Sequence, residues 1–217
     1  MKNNMKKKIL VVALVAIVLV MSIAGTTIAY FTDDGKSENE FTVGKVDIDL
    51  TAEFNTAGNI YPTKTVSEGA ATIKVAHDSE PAYIGAILTI YSDNGDVTSI
   101  IGEGKIPETN KDKATIAQII SGINTSVWDV YTSYDTTNKV VTVYFVAKSE
   151  AIANATLNVF ESVSIPAAWG NTEMDQLRNK LHINLYAYAV QSAGLEGDAL
   201  AALHQAGFDV FDGVVLP

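Results

Sequence analysis

Residues 82–91 read Ala-Tyr-Ile-Gly-Ala-Ile-Leu-Thr-Ile-Tyr, and their alternation decides the fold class. In an extended chain Ile84, Ala86, Leu88 and Ile90 fall on one face, with Ile87 and Tyr91 on the other. Apolar residues on both faces of a short run that follows Pro81 predict a central β-strand. Asp93-Asn94-Gly95-Asp96 closes it as a turn.

The same period extends in both directions. Val46, Ile48 and Leu50 alternate with Lys45, Asp47 and Asp49, the pattern of a half-buried strand, and Thr72 to Ala76 continue the β character. Val127 to Tyr134 and Val140 to Val146 form a predicted hairpin around Asp135-Thr136-Thr137-Asn138. Leu157 to Ile165 supply one more strand and His182 to Val190 another. In the latter, Ile183, Leu185, Ala187 and Ala189 face one way, and His182, Asn184, Tyr186 and Tyr188 the other.

Three short helices are expected between the strands. Ile116, Ile119, Ile120 and Ile123 keep helical spacing. Thr172 and Asp175 suit a capping box that opens a helix carrying Met174, Leu177 and Leu181. Asp198 caps Ala199 to Ala206, and Gly207 stops that helix. The sum is a mainly β chain, a two-sheet β-sandwich decorated by short helices.

The N-terminus carries a different signal. Lys6-Lys7-Lys8 leads into an apolar run from Ile9 to Ile23, broken only by Ser22, and the small residues Gly25-Thr26-Thr27-Ile28-Ala29 follow. This is the pattern of a signal peptide over residues 1–29, cleaved between Ala29 and Tyr30. A retained anchor is the alternative. As a helix Ile9 to Ala24 rises only about 24 Å, short of a bilayer core of roughly 30 Å. The expected location is therefore secreted, in the extracellular matrix or at the cell surface, with membrane contact only as the uncleaved precursor.

Cleavage removes Lys2, Lys6, Lys7 and Lys8 from the fifteen basic residues and none of the 25 acidic ones, leaving a net charge near −14. Such a polyanion lacks a basic stripe and is no partner for nucleic acid. The chain has no cysteine, which excludes disulfides, Cys-ligated zinc and thiol nucleophiles. His77, His182 and His204 are isolated, and neither an HExxH nor a G-x-S-x-G motif occurs. Asp33-Asp34-Gly35 and Asp93-Asn94-Gly95-Asp96 lack the twelve-residue calcium-loop pattern and read as turns. No catalytic residue, metal ligand or cofactor is assigned. Asn124-Thr125-Ser126 and Asn154-Ala155-Thr156 match a glycosylation sequon, a short pattern that arises often by chance.

Residues 30–40 form a polar, acidic segment that cannot build a core; the β-sandwich domain is expected over 41–217. Here the residues resemble a known family. GTTIAYFTDDGKSENEFTVGKVDIDL, residues 25–50, is similar to the start of the TasA/camelysin family of exported proteins. The matching elements are Thr27-Ile28-Ala29, Tyr30-Phe31-Thr32-Asp33 and Phe41-Thr42-Val43-Gly44-Lys45-Val46-Asp47-Ile48. Pro81-Ala82-Tyr83-Ile84 and the block Ile183 to Gln191 resemble two further family strands, while residues 97–155 match nothing in it.

The resemblance implies a jelly-roll-like sandwich that serves as a subunit of biofilm-matrix fibres. It implies processing by a SipW-type signal peptidase and a head-to-tail homopolymer, in which the mature N-terminal segment completes a sheet of the next subunit. Tyr30, Phe31 and Phe41 are the expected anchors of that donor strand. Two other functions compete: a monomeric, surface-displayed binding or accessory domain, and a camelysin-like metallopeptidase. The apolar tail Phe208, Val210, Phe211, Val214, Val215 and Leu216 is a candidate docking strand, or one more strand of the fold.

Overall fold

The computed structural model describes residues 32–34, 46–56, 59, 61–67, 69–93, 95–102, 114–177, 180–195 and 198–211. The segment 1–29, Tyr30, Phe31 and Phe41 lie outside the described residues.

Strands β1 (Thr32–Asp34), β2 (Ile48–Thr51), β3 (Ala71–Val75) and β4 (Ala82–Ser92) come first. After β4, a 3₁₀ turn at Val97–Ser99 is capped by the Asp96 carboxylate, which accepts from the Thr98 N–H at 3.0 Å. The short strands β5 (Ile101–Gly102) and β6 (Ala114–Thr115) pair in parallel. Helix α1 (Ile116–Ile119) runs into β7 (Ile120–Ser121). Next come β8 (Trp128–Asp135), β9 (Val140–Ala147), β10 (Thr156–Phe160) and β11 (Ser162–Val163). Helix α2 (Asn171–Leu177), β12 (Leu181–Gln191) and α3 (Ala199–Gln205) complete the set, and a 3₁₀ turn at Asp209–Phe211 follows.

Two antiparallel sheets share one core, so the chain is the β-sandwich with few, short helices that its pattern implies. The larger sheet has the order β1-β12-β4-β9-β8, and the smaller β10-β3-β2. Ile84, Ala86, Leu88 and Ile90 point into the common core with Ile73 and Val75 of β3 and Val159 of β10. As expected, β4 is central, flanked by β12 and β9. The sheets are also joined by a polar link: the Trp128 Nε1–H of β8 donates to the Asn158 carbonyl of β10 at 2.7 Å.

The predicted hairpin is β8–β9. Its turn is held by the Asp135 carboxylate, which accepts from the N–H groups of Thr137 and Asn138 at 3.0 and 2.9 Å. The run Leu157 to Ile165, expected as one strand, is two. β10 pairs with β3, the chain breaks at Glu161, and β11 pairs with β7. Gly122 marks the reason: its φ is +73°, and the Glu161 side chain occupies the space a Cβ would need.

The helices differ from their expected extents. The isoleucine series makes only the four-residue α1, because Ile120 already belongs to β7. At α2 the capping bond lies two residues earlier than expected, with Glu173 accepting from the Gly170 N–H at 2.8 Å, and Leu181 belongs to β12. In α3 Asp198 accepts from the Ala201 N–H at 2.9 Å, and Gly207 follows with φ +82°.

Helix α3 is more than a decoration. Ala199, Leu200, Ala202, Leu203 and Phe211 pack with Ile87, Val146 and Val190 on the outer face of the larger sheet, forming a second buried cluster. Phe208 and Phe211 of the apolar tail belong there, ring against ring with Tyr188. Residues 212–217 lie outside the described residues.

Candidate functional site

The larger sheet ends at β1, a three-residue strand of the N-terminal segment laid along β12. β1 pairs antiparallel with β12, with Thr32 opposite Val190, Asp33 opposite Ala189 and Asp34 opposite Tyr188. Asp33 and Asp34, read from the sequence as part of a turn, are strand residues. An extended acidic segment cannot bury an apolar face, so what β1 gains here is backbone pairing with an otherwise open edge.

β12 itself is long and regular. All eleven of its residues pair with β4 on the other side, from Leu181 opposite Ser92 to Gln191 opposite Ala82. On the β1 side, only Tyr188, Ala189 and Val190 have partners among the described residues. Leu181, Ile183, Ala187 and Ala189 are buried in the inter-sheet core, and Val190 lies under α3. The faces are those expected from the alternation.

Two features flank the Leu181 end. Inside lies an apolar slot lined by Leu181 and Ile183 of β12 and by Ile90, Val163, Trp169 and Leu177, among others. Trp169 is 4 % exposed, and its Nε1–H has no partner among the described residues. Outside lies a polar cluster. Asp93 Oδ2 is 3.1 Å from His182 Nε2 and 3.7 Å from Lys180 Nζ, and the His182 ring stacks on Tyr91 at 4.6 Å between centroids. The His182 hydrogen bond, followed by the charges of His182 and Lys180, holds the Asp93 carboxyl below its ordinary range.

Two further phenols are shifted by their surroundings. Burial pushes Tyr131 up, helped by Asp129 and Asp198, and burial pushes Tyr144 up as well. Both face the α3 cluster, where Tyr131 Oη is buried without a partner among the described residues. These groups reflect packing of the sheet's outer face.

The histidines do not converge. His77 is largely exposed beside Asp78, His182 belongs to the Asp93 cluster, and the His204 Nε2 lies 2.7 Å from the Phe211 carbonyl. Among the described residues, no group of three or more His, Asp or Glu side chains is placed to hold a metal ion. Among them, no helix is long and apolar enough to cross a membrane; the apolar run of residues 9–23 lies outside the described part.

Pro81-Ala82-Tyr83-Ile84 opens β4 and Ile183 to Gln191 make up most of β12, so the two later blocks of the family resemblance are neighbouring strands. Sequence reasoning identified β12 and the polar N-terminal segment separately but had no means to pair them. Register between residues some 150 positions apart leaves no local trace. It also missed the Leu181 slot, whose lining comes from seven separate stretches of chain.

Comparison with known proteins gives one match. No curated protein matches the chain, and no solved structure does. The model of the family described as camelysin metallo-endopeptidase matches residues 4–68, which takes in the N-terminal motifs and β1 and β2 but not β12. Over that stretch the chain is similar to the camelysin family, in line with the TasA/camelysin resemblance of its N-terminal motifs.

Proposed function

We propose that the chain is a secreted structural subunit of extracellular biofilm-matrix fibres, assembled when the mature N-terminal strand of one copy is donated to the next. The observation that carries this reading is the seat of β1 on the edge of β12. The edge accepts this segment through backbone pairing, and a second copy presents the same segment with the same geometry. Exchange of the strand between copies replaces one set of hydrogen bonds by an equal set and links subunits head to tail without closure.

Export and cleavage supply the timing. While residues 1–29 remain attached, Tyr30 stays tethered at the membrane and the strand is not free to reach a neighbour. A SipW-type signal peptidase acts as the switch, and the partner is a second copy of the chain. Net charge near −14 opposes association, so salt or low pH favours assembly.

The test is negative-stain electron microscopy of protein beginning at Tyr30 beside protein beginning at Phe41. Fibres from the first and monomers from the second are expected. Monomers from both, across salt and pH, would replace this reading with that of a surface-displayed binding domain.

The family description favours a second reading, a metallo-endopeptidase. Its supporting result is hydrolysis of casein by the purified mature chain that is abolished by a chelator and restored by zinc. The described residues offer no ligand set on which to build a mechanism.

A further inference from the structure

The outer face of the larger sheet is covered over one half only. Side chains alternate along each strand, so Ile87, Val146, Tyr144, Tyr131 and Tyr188 stand on that face, where α3 and the turn after it close over them. The next row toward the Leu181 end is different. Asn184, Thr89, Thr142 and Ser133 lie opposite one another across β12, β4, β9 and β8. Ser133 is exposed, the other three are half-buried, and none of the four belongs to either apolar cluster.

Larger groups rise on both sides of this row. Toward α3 stands Tyr186, half-buried and packed in neither apolar cluster, with Tyr144 two strands away. On the other side are the Tyr91 and His182 rings, stacked at 4.6 Å between centroids with 11° between their planes. Small side chains thus form the floor of a trough and aromatic rings its walls. The floor crosses three strand intervals of about 4.8 Å, so it is roughly 14 Å long.

We propose that this trough binds an uncharged, extended polysaccharide whose chain runs across the strands. The inference goes beyond the fibre reading and does not depend on strand exchange. Charge chooses the class of ligand. The chain carries 25 acidic and 15 basic side chains, yet no residue of the row is ionisable. Asp93 and Asp135, two residues beyond Tyr91 and Ser133, are engaged, the first with His182 and Lys180 and the second with the N–H groups of its own turn.

The arrangement of groups excludes a protein partner and fits a sugar chain. A protein interface has an apolar centre and a polar rim, whereas here the centre is polar and the aromatic rings are at the rim. A sugar ring carries hydroxyls around its edge and C–H groups on its faces. The Asn184 carboxamide and the hydroxyls of Thr89, Thr142 and Ser133 both donate and accept, as the hydroxyls require. Thr142 is bonded to Tyr144, and with one O–H and two lone pairs a hydroxyl keeps capacity for a ligand as well. Tyr186 and Tyr91 offer rings with an apolar body and a polar tip to the C–H faces. One polar group per strand spacing is close to one per sugar in an extended β-1,4-linked chain, so successive sugars meet successive strands.

The test is isothermal titration of the mature chain in dilute solution with cellohexaose, chitohexaose and, as an anionic control, a hexamer of galacturonate. Saturable binding of at least one neutral hexamer is expected at millimolar concentration, with none of the galacturonate. Thr89→Val and Thr142→Val keep the side-chain shape and remove the hydroxyl, and each is expected to weaken binding about fivefold. Tyr186→Ala is expected to weaken it about tenfold, while Tyr61→Ala, an exposed ring in a loop outside the trough, leaves it unchanged. Urea midpoints of the valine variants near that of the parent show that the loss belongs to the site. No binding of either neutral hexamer would overturn the proposal. Binding that all three trough variants leave intact would overturn this face as the site, and binding of the galacturonate alone would overturn the class of ligand.

Discussion

Gly85 lies directly beneath Phe211: a Cβ on Gly85 would stand 2.5 Å from the Phe211 Cζ and 2.7 Å from the Leu203 Cδ1. Those distances are below van der Waals contact, and Gly85 is in the middle of β4 with Tyr188 on one side and Val146 on the other. The missing side chain is what lets α3 and the following turn sit flat on the sheet. Gly85→Ala is expected to cost about 1–3 kcal/mol, the usual range for overpacking. Phe211→Ala, which empties the same seat, is expected to cost about 3–5 kcal/mol. Urea unfolding of both variants checks this; two unchanged midpoints would mean that the helix is not seated on the sheet.

Trp128 tests the link between the sheets. The residue is 1 % exposed, and its indole N–H reaches the Asn158 carbonyl of the opposite sheet at 2.7 Å. Trp128→Phe keeps most of the apolar volume and loses the hydrogen bond. A destabilisation of about 1–2 kcal/mol is expected from an unsatisfied carbonyl and a small cavity. Thermal unfolding measures it, and a variant as stable as the parent would show that packing alone holds the sheets together.

Asp93 gives a pH dependence with a definite sign. Its folded-state pKa is lowered, first by the His182 hydrogen bond. A lowered carboxyl pKa contributes stability that is present above the unfolded value and lost as pH falls through the folded one. With an ordinary value of 3.8, Asp93→Asn is expected to be less stable than the parent at pH 6, the gap closing below about pH 4. The exposed setting makes the gap small. Denaturation midpoints of both proteins between pH 6 and pH 2 provide the measurement, and a gap that widens toward acid contradicts the assignment.

The strands were legible because burial on one or both faces writes a period of two into the residues, as in Ile84 to Ile90 and Ile183 to Ala189. The α3 cap and stop were legible for the same local reason, since Asp198 and Gly207 act within one turn of chain. What escaped were contacts between distant segments. The break at Glu161 depends on Gly122, and the outer cover depends on Gly85 meeting Phe211; neither partner announces the other. The candidate site was half legible: the N-terminal segment stood out by its lack of core residues, and its seat required the register.

Locking that seat tests strand exchange itself. Thr32 and Val190 are directly opposite, at a cross-strand spacing of about 4.5–5.5 Å between Cα atoms that a disulfide bridges without backbone movement. Val190 is fully buried, and cysteine there is a small apolar replacement. The Thr32→Cys, Val190→Cys chain, oxidised at low concentration so that the bond closes within one molecule, holds β1 on its own sheet. Exchange requires the strand to leave, so oxidised protein is expected to stay monomeric at concentrations where the parent forms fibres. Reduction is expected to restore assembly in the same sample, which separates a held strand from a damaged fold. Fibres from the oxidised protein at parental yield would show that subunits join elsewhere, with the edge of β12 permanently occupied by its own strand.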